Sequence, residues 1–98
     1  MIYNVQFTDE SKADIEKLDG SQKIQVAKSI QKIRCSGIQT GKALHGKLFD
    51  CKKLTHRKLG LRVVFRQLNV GIEIIEIVVI GKRADSEVYS IAIERLGR

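Results

Sequence analysis

The chain has 98 residues, 43% of them hydrophobic and 30% charged, with a formal net charge of +7; a length of this order supports one domain around one core and leaves no room for a second. Its longest apolar run, Ile77 to Ile80, falls far short of the ~18 residues a membrane span needs, so no membrane partner is expected. Met1 to Phe7 leads directly into Thr8, Asp9 and Glu10 without the pattern of a secretory leader, so a cytoplasmic location is expected.

Met1, Tyr3, Val5 and Phe7 alternate with Ile2, Asn4 and Gln6, the period of a strand with one face inward. Thr8 stands where an N-cap belongs, and Asp9 and Glu10 complement the positive end of a helix dipole. The helix runs to about Leu18, with Ile15 and Leu18 inward, and Asp19-Gly20 ends it. Ser21 is the expected cap of a second helix whose inner face carries Val26, Ile30 and Ile33, and Gly37 stops that helix. Gly41 and Gly46 punctuate a loop in which Leu44, Leu48 and Phe49 are expected to anchor to the core.

From there the period changes to two. A strand is predicted from about Cys51 to Arg57, a turn at Lys58-Leu59-Gly60, and a strand from Leu61 to about Gln67, with Leu61, Val63 and Phe65 opposite Arg62, Val64 and Arg66. A turn over residues 69–71 leads into Ile72 to Ile80, whose near-continuous Ile and Val imply a strand covered on both faces. Gly81-Lys82-Arg83 ends it. Asp85 or Ser86 then caps a last helix with Val88, Ile91, Ala92 and Leu96 inward. The expected fold is α+β in the order strand-helix-helix-strand-strand-strand-helix. An antiparallel-rich four-stranded sheet is packed by an N-terminal helical hairpin and a C-terminal helix, and order extends to all but the last two residues.

The charge is not spread evenly. Between Lys42 and Arg66 lie Lys42, Lys47, Lys52, Lys53, Arg57, Lys58, Arg62 and Arg66 against the single carboxylate of Asp50, so these 25 residues hold the whole excess of +7. A domain that concentrates its charge in one predicted hairpin offers a surface to a polyanion. Cys35 and Cys51 form no Cys-x-x-Cys pair, and with His45 and His56 they match no common ligand spacing, so no metal or other cofactor is expected. Tryptophan is absent and Phe and Tyr are scarce, which disfavours a broad base-stacking platform.

If Leu54 points to the core, Lys53, Thr55 and Arg57 share the other face, with Arg62 and Arg66 on the next strand, Arg83 just past the one after, and Tyr89 early in the last helix. The pattern predicts a shallow surface of Lys, Arg and Tyr with no carboxylate opposite. Fixed guanidinium groups bind phosphate oxygens and stabilise added negative charge in a transition state. A lysine among cations gives up its proton more readily and can then take one from a ribose 2′-hydroxyl, a group that DNA lacks. The same cations equally describe a solvated face or a protected sheet edge. His56 alone reads as a strand-edge residue, Tyr89 alone as a packing residue, and Glu87 as a complement to the helix dipole.

The order of elements, the Leu44-x-Gly46 loop, the Gly60-Leu61-Arg62-Val63-Val64-Phe65 strand and above all Gly81-Lys82-Arg83-Ala84-Asp85-Ser86-Glu87-Val88-Tyr89 resemble the RelE toxins of the RelE/ParE superfamily. The resemblance implies that residues 1–98 are a single toxin domain of a type II toxin–antitoxin system. It further implies a metal-independent endoribonuclease that cuts messenger RNA in the ribosomal 30S A site by 2′-hydroxyl attack and is silenced by a RelB-like antitoxin from the same operon. By motif match Lys53 falls where a lysine helps activate the 2′-hydroxyl, Arg62 and Arg83 where arginines stabilise the phosphate, and Tyr89 where a tyrosine orients the base. Lys47, Lys52, His56, Arg57, Lys58, Arg66 and Lys82 are then the candidates for RNA and ribosome contact. Thr55 stands where the family has a second lysine, which leaves the general base open, with Lys52, His56 or Arg57 as alternative sources of the charge. A ParE-like gyrase inhibitor and a non-catalytic RNA- or antitoxin-binding module are the other readings.

Overall fold

The computed structural model describes residues 3–69, 73–82 and 85–98. The first strand, β1 (Asn4–Phe7), leads into α1 (Asp9–Glu16), α2 (Gly20–Ser36) and a 3₁₀ turn at Gly37–Thr40. A two-residue strand β2 (Lys42–Ala43), a second 3₁₀ turn (Gly46–Leu48), β3 (Cys51–His56), β4 (Leu61–Asn69), β5 (Glu73–Gly81) and α3 (Asp85–Arg95) complete the order. The sheet therefore has five strands in the order β1-β5-β4-β3-β2 rather than the expected four. The addition is β2, whose two residues are too few to show a period of two. The β1 strand runs parallel to β5, and every other pairing is antiparallel.

Both faces of the sheet are covered. On one, Leu61, Val63, Phe65, Ile75, Ile77 and Ile80 pack against Leu18 of the α1–α2 connection and Val26, Ile30 and Ile33 of α2. On the other, Val64, Val78 and Val79 pack against Val88 and Ala92 of α3 and Leu44 and Leu48 of the loop. Alternation along β4 supplies both faces, but on β5 the register slips between Val64 and Phe65: Val64 pairs with Val79 and Phe65 with Ile77. The extra residue is a β-bulge, and it lets the consecutive Val78 and Val79 both face α3.

Strand β1 stops pairing at Phe7, opposite Ile77, while β5 continues to Gly81. The backbone groups this leaves on β5 are satisfied by side chains. Asp14 of α1 accepts from the Ile80 N–H at 3.0 Å, and Arg95 of α3 donates to the Val78 carbonyl at 3.0 Å. The two side chains meet in a fork, Arg95 Nη1 to Asp14 Oδ2 at 2.6 Å and Nη2 to Oδ1 at 2.9 Å. One ion pair thus completes the sheet edge and ties a helix on one face to a helix on the other.

Local chemistry places the helix ends. Thr8 caps α1 in a reciprocal box with Ser11. The cap of α2 is Asp19, one turn before Gln22, and not Ser21, whose hydroxyl donates to Asp19 instead. Asp85 and Ser86 lie within α3 rather than ahead of it. Gly37 closes α2 at φ 69°, where an added Cβ would fall 2.4–2.8 Å from the Tyr3 ring, so only glycine fits. Phe49 is not an anchor: it is 72% exposed, with the Arg98 guanidinium over its ring. Arg98, in the pair of residues expected to be loose, is fixed, donating to both carboxylate oxygens of Asp50 and to the Lys47 carbonyl.

Candidate RNA-binding site

Register decides which of the hairpin's cations work together. Cys51 pairs with Arg66, Lys53 with Val64 and Thr55 with Arg62, so Lys53, Thr55, Arg62 and Arg66 share the α3 face with Val64. Lys52 pairs with Phe65 and His56 with Leu61, and both partners face the other core. Lys52 and His56 are thereby excluded as replacements for a cation beside Lys53, because a one-residue step along a strand reverses the face. The His56 Nδ1 is buried without a hydrogen-bond partner on that opposite side.

On the α3 face two grooves adjoin. The first, about 310 Å³, is lined by Thr40, Lys42, Lys53, Leu54, Thr55, Arg57 and Arg62. The second, about 360 Å³, is lined by Lys42, Ala43, Leu44, His45, Leu48, Lys53 and Tyr89. Lys42 and Lys53 belong to both and form the ridge between them. One groove is cationic and the other largely apolar with an aromatic wall, a division suited to a phosphate on one side and a base on the other. The Lys53 Nζ lies 5.6 Å from the centre of the Tyr89 ring, so its charge is held against the ring face. Tyr89 is half-buried and packs on the α3 core, which fixes the ring. Arg62 is held back over the turn, its Nη1 donating to the Gly60 carbonyl at 2.8 Å.

The remaining predicted contacts divide. Arg57 lines the cationic groove, and Lys58 is exposed in the neighbouring turn. Lys47 is exposed on the loop beside the apolar groove, its carbonyl bound by Arg98. Lys82 is exposed just past β5 and lines a separate cleft with Asp14, Lys17 and Arg95. Arg83 lies outside the described residues. Arg66 departs from the expectation of a surface without carboxylates: its Nε sits 3.1 Å from Glu76 and its Nη1 3.9 Å from Asp50. Sequence reasoning also passed over Lys42 as a site residue, since only the β2–β3 pairing puts it opposite Lys53.

Asp50 is the acidic member of this segment, and its hydrogen bonds from Arg98 hold its carboxyl at about 2 against an ordinary 3.8. It stays ionised and pairs with Arg98 and Arg66; the cations that line the groove are Lys42, Lys53, Arg57 and Arg62. Burial pushes the Cys51 thiol up to about 11, with the neighbouring Asp50 charge adding to the effect. This makes it a packing residue rather than a nucleophile. Among the described residues no group of three or more His, Cys, Asp or Glu gathers where it could hold a metal ion. No described helix is long and apolar enough to cross a membrane.

A mixed sheet clasped by a helical pair and a third helix is the fold of toxins solved alone and with antitoxins. The chain is similar to an arginine-to-alanine double mutant of the Escherichia coli toxin RelE in the free state. The two share 27% identity and a TM-score of 0.80 over 98% of this chain and 99% of that one. The same mutant in complex with an antitoxin RelBc peptide matches at 27% identity and TM-score 0.75, covering 94% and 95% of the two chains. The RelBE2 toxin–antitoxin complex of Mycobacterium tuberculosis shares the fold, at 19% identity and TM-score 0.73 over 85% of this chain and 100% of that one. No protein-family model matches. A RelE-like toxin protein of Escherichia coli is 33% identical over 96 residues, 98% of this chain and 99% of that protein. The chain belongs to the RelE-like toxins.

Proposed function

We propose that the protein is the toxin of a type II toxin–antitoxin system and acts as a ribosome-dependent endoribonuclease on messenger RNA in the A site. The observation that carries this reading is the convergence of Lys53, Arg62 and Tyr89 on two adjoining grooves, one cationic and one aromatic-walled. A phosphodiester laid across the Lys42–Lys53 ridge puts its phosphate on the side of Arg62 and a flanking base against Tyr89. Lys53, in its neutral form, takes the proton of the ribose 2′-hydroxyl. The 2′-oxygen then attacks the adjacent phosphorus, and the 5′-oxygen of the next nucleotide leaves with a proton drawn from solvent. The products are a 2′,3′-cyclic phosphate and a 5′-hydroxyl. Arg62, joined in this reading by Arg83, stabilises charge gathering on the phosphoryl oxygens, and the proton transfer to Lys53 is worth roughly 10²–10⁴ in rate. The charged side chains that line this groove, Lys42, Lys53, Arg57 and Arg62, are all cations.

An antitoxin partner is inferred from the RelE and RelBE2 complexes. The +7 charge of this chain favours association with an acidic one. The test gives the purified protein and its Arg62→Ala and Arg83→Ala variants a messenger RNA, free and on ribosomes with an empty A site. The reading expects cuts only on the ribosome, with cyclic-phosphate ends, and their loss in both variants while antitoxin binding persists. Inhibition of gyrase supercoiling without RNA cleavage would replace it with the ParE-like reading.

A further inference from the structure

We infer that Lys42 is a phosphate-contacting residue of the groove and supplies the second ammonium group that Thr55 cannot. The inference rests on the nuclease reading above and adds a residue to it.

Lys42 lies directly opposite Lys53 in the β2–β3 ladder. Directly opposed residues of an antiparallel pair share a face, their Cβ atoms about 4.5–5.5 Å apart. Like charges in that position repel, yet among the described residues no carboxylate pairs with Lys42, and both lysines line both grooves. An anion lying between two ammonium groups turns that repulsion into a binding site.

The backbone is built to hold Lys42 there. A Cβ on Gly41 would sit 2.9 Å from the Lys53 carbonyl oxygen, 2.9 Å from the Phe65 ring and 3.0 Å from the Lys52 Cβ. The absence of a side chain therefore lets the chain close onto β3. The Leu44 N–H then donates to the Cys51 carbonyl at 3.1 Å, continuing the pairing past Ala43. A two-residue edge strand kept this close has one long side chain on the groove side, that of Lys42. Thr55, opposite Arg62, lines the same cationic groove with a hydroxyl that carries no charge. Lys42 approaches from the edge strand β2 to provide what β3 lacks.

The test compares wild type, Lys42→Gln, the double variant Lys42→Gln/Thr55→Lys, and Lys28→Gln. Lys28 is an exposed α2 residue and serves as the charge control. Each is assayed for single-turnover cleavage of A-site messenger RNA on ribosomes and for binding of a single-stranded RNA oligonucleotide across a salt series. Lys42→Gln is expected to slow cleavage at least tenfold, Thr55→Lys to recover most of that loss, and Lys28→Gln to stay within twofold of wild type. Melting temperatures should not fall, because Lys42 is exposed and its removal relieves repulsion. A Lys42→Gln rate within twofold of wild type, or no recovery in the double variant, overturns the assignment. If wild type itself does not cut, the nuclease reading fails separately, and the oligonucleotide decides on Lys42. A fall of about 0.7 in the slope of log K against log salt, absent in Lys28→Gln, upholds the contact, and unchanged slopes overturn it.

Discussion

Replacing Asp14 with alanine tests the claim that one ion pair finishes the sheet. The carboxylate is only 10% exposed and accepts three hydrogen bonds, one from the Ile80 N–H and two from Arg95, itself 18% exposed. Its removal leaves a buried amide without a partner, which costs about 1–3 kcal/mol. It also strands a guanidinium, and losing one member of a buried pair costs about 3–5 kcal/mol. Arg95 retains the Val78 carbonyl and a contact to Glu10 at 3.7 Å, so the loss falls at the lower end, about 3 kcal/mol. At roughly 4–8 °C per kcal/mol for a domain of this size, the melting temperature drops by about 12–24 °C. Asp14→Asn keeps an oxygen for Ile80 but gives up the charge, and should lose about half as much. Urea titrations followed by far-ultraviolet circular dichroism on Asp14→Ala, Arg95→Ala and the double variant complete the cycle. A loss below about 1 kcal/mol for Asp14→Ala, or a coupling below about 0.5 kcal/mol, would refute the reasoning.

Three further outcomes follow from the same structure. Gly37→Ala places a Cβ against the Tyr3 ring at positive φ and should cost about 2–4 kcal/mol in a urea titration; a neutral result would mean that the turn relaxes freely. Asp50 has its carboxyl depressed to about 2 by Arg98, so the stability it contributes is present above about pH 4 and is lost as the pH falls towards 2. Both side chains are partly solvated, so Arg98→Ala should cost at most about 1 kcal/mol at pH 7, and that gap should narrow at pH 2. A constant gap across the range would count against the pairing. Iodoacetamide under native conditions should add one adduct, at exposed Cys35, and spare Cys51, which is buried with its thiol near 11. Intact-mass measurement should show the second adduct only in denaturant.

Much of this arrangement is legible in the residues. The alternation at Tyr3, Val5 and Phe7, and again at Leu61, Val63 and Phe65, places both strands with the correct face inward. Thr8 caps α1 and Gly37 ends α2 because capping and positive φ are local properties written in single residues. The Asp19 cap was equally local, since Asp19-x-x-Gln22 is a capping-box spacing, although Ser21 competes with it on residue type alone. What the sequence hides is non-local. Arg95 and Asp14 are 81 positions apart, and nothing near either announces the other. The slip at Val78 changes register inside an unbroken Ile and Val run where every residue is acceptable on either face. Phe49 is exposed because its loop is held by Arg98 and Asp50 rather than by burial of its ring. At the candidate site, the resemblance already groups Lys53, Arg62 and Tyr89, which line the two adjoining grooves, whereas the place of Lys42 depends on a pairing two residues long.

The parallel pairing of β1 with β5 has a kinetic consequence. The first strand of the chain finds its neighbour some seventy residues later, Asn4 beside Ile74. The edge that β1 leaves open is completed by groups from α1 and from the last helix. Strand β1 therefore cannot join the sheet early, because the loop-closure entropy is spent before its long-range contacts with β5 form. The β3–β4 hairpin and α2 have local partners and are the segments expected to order first. The edge strand and both terminal helices then lock together in the final step, which makes refolding slow relative to a helical bundle of equal length.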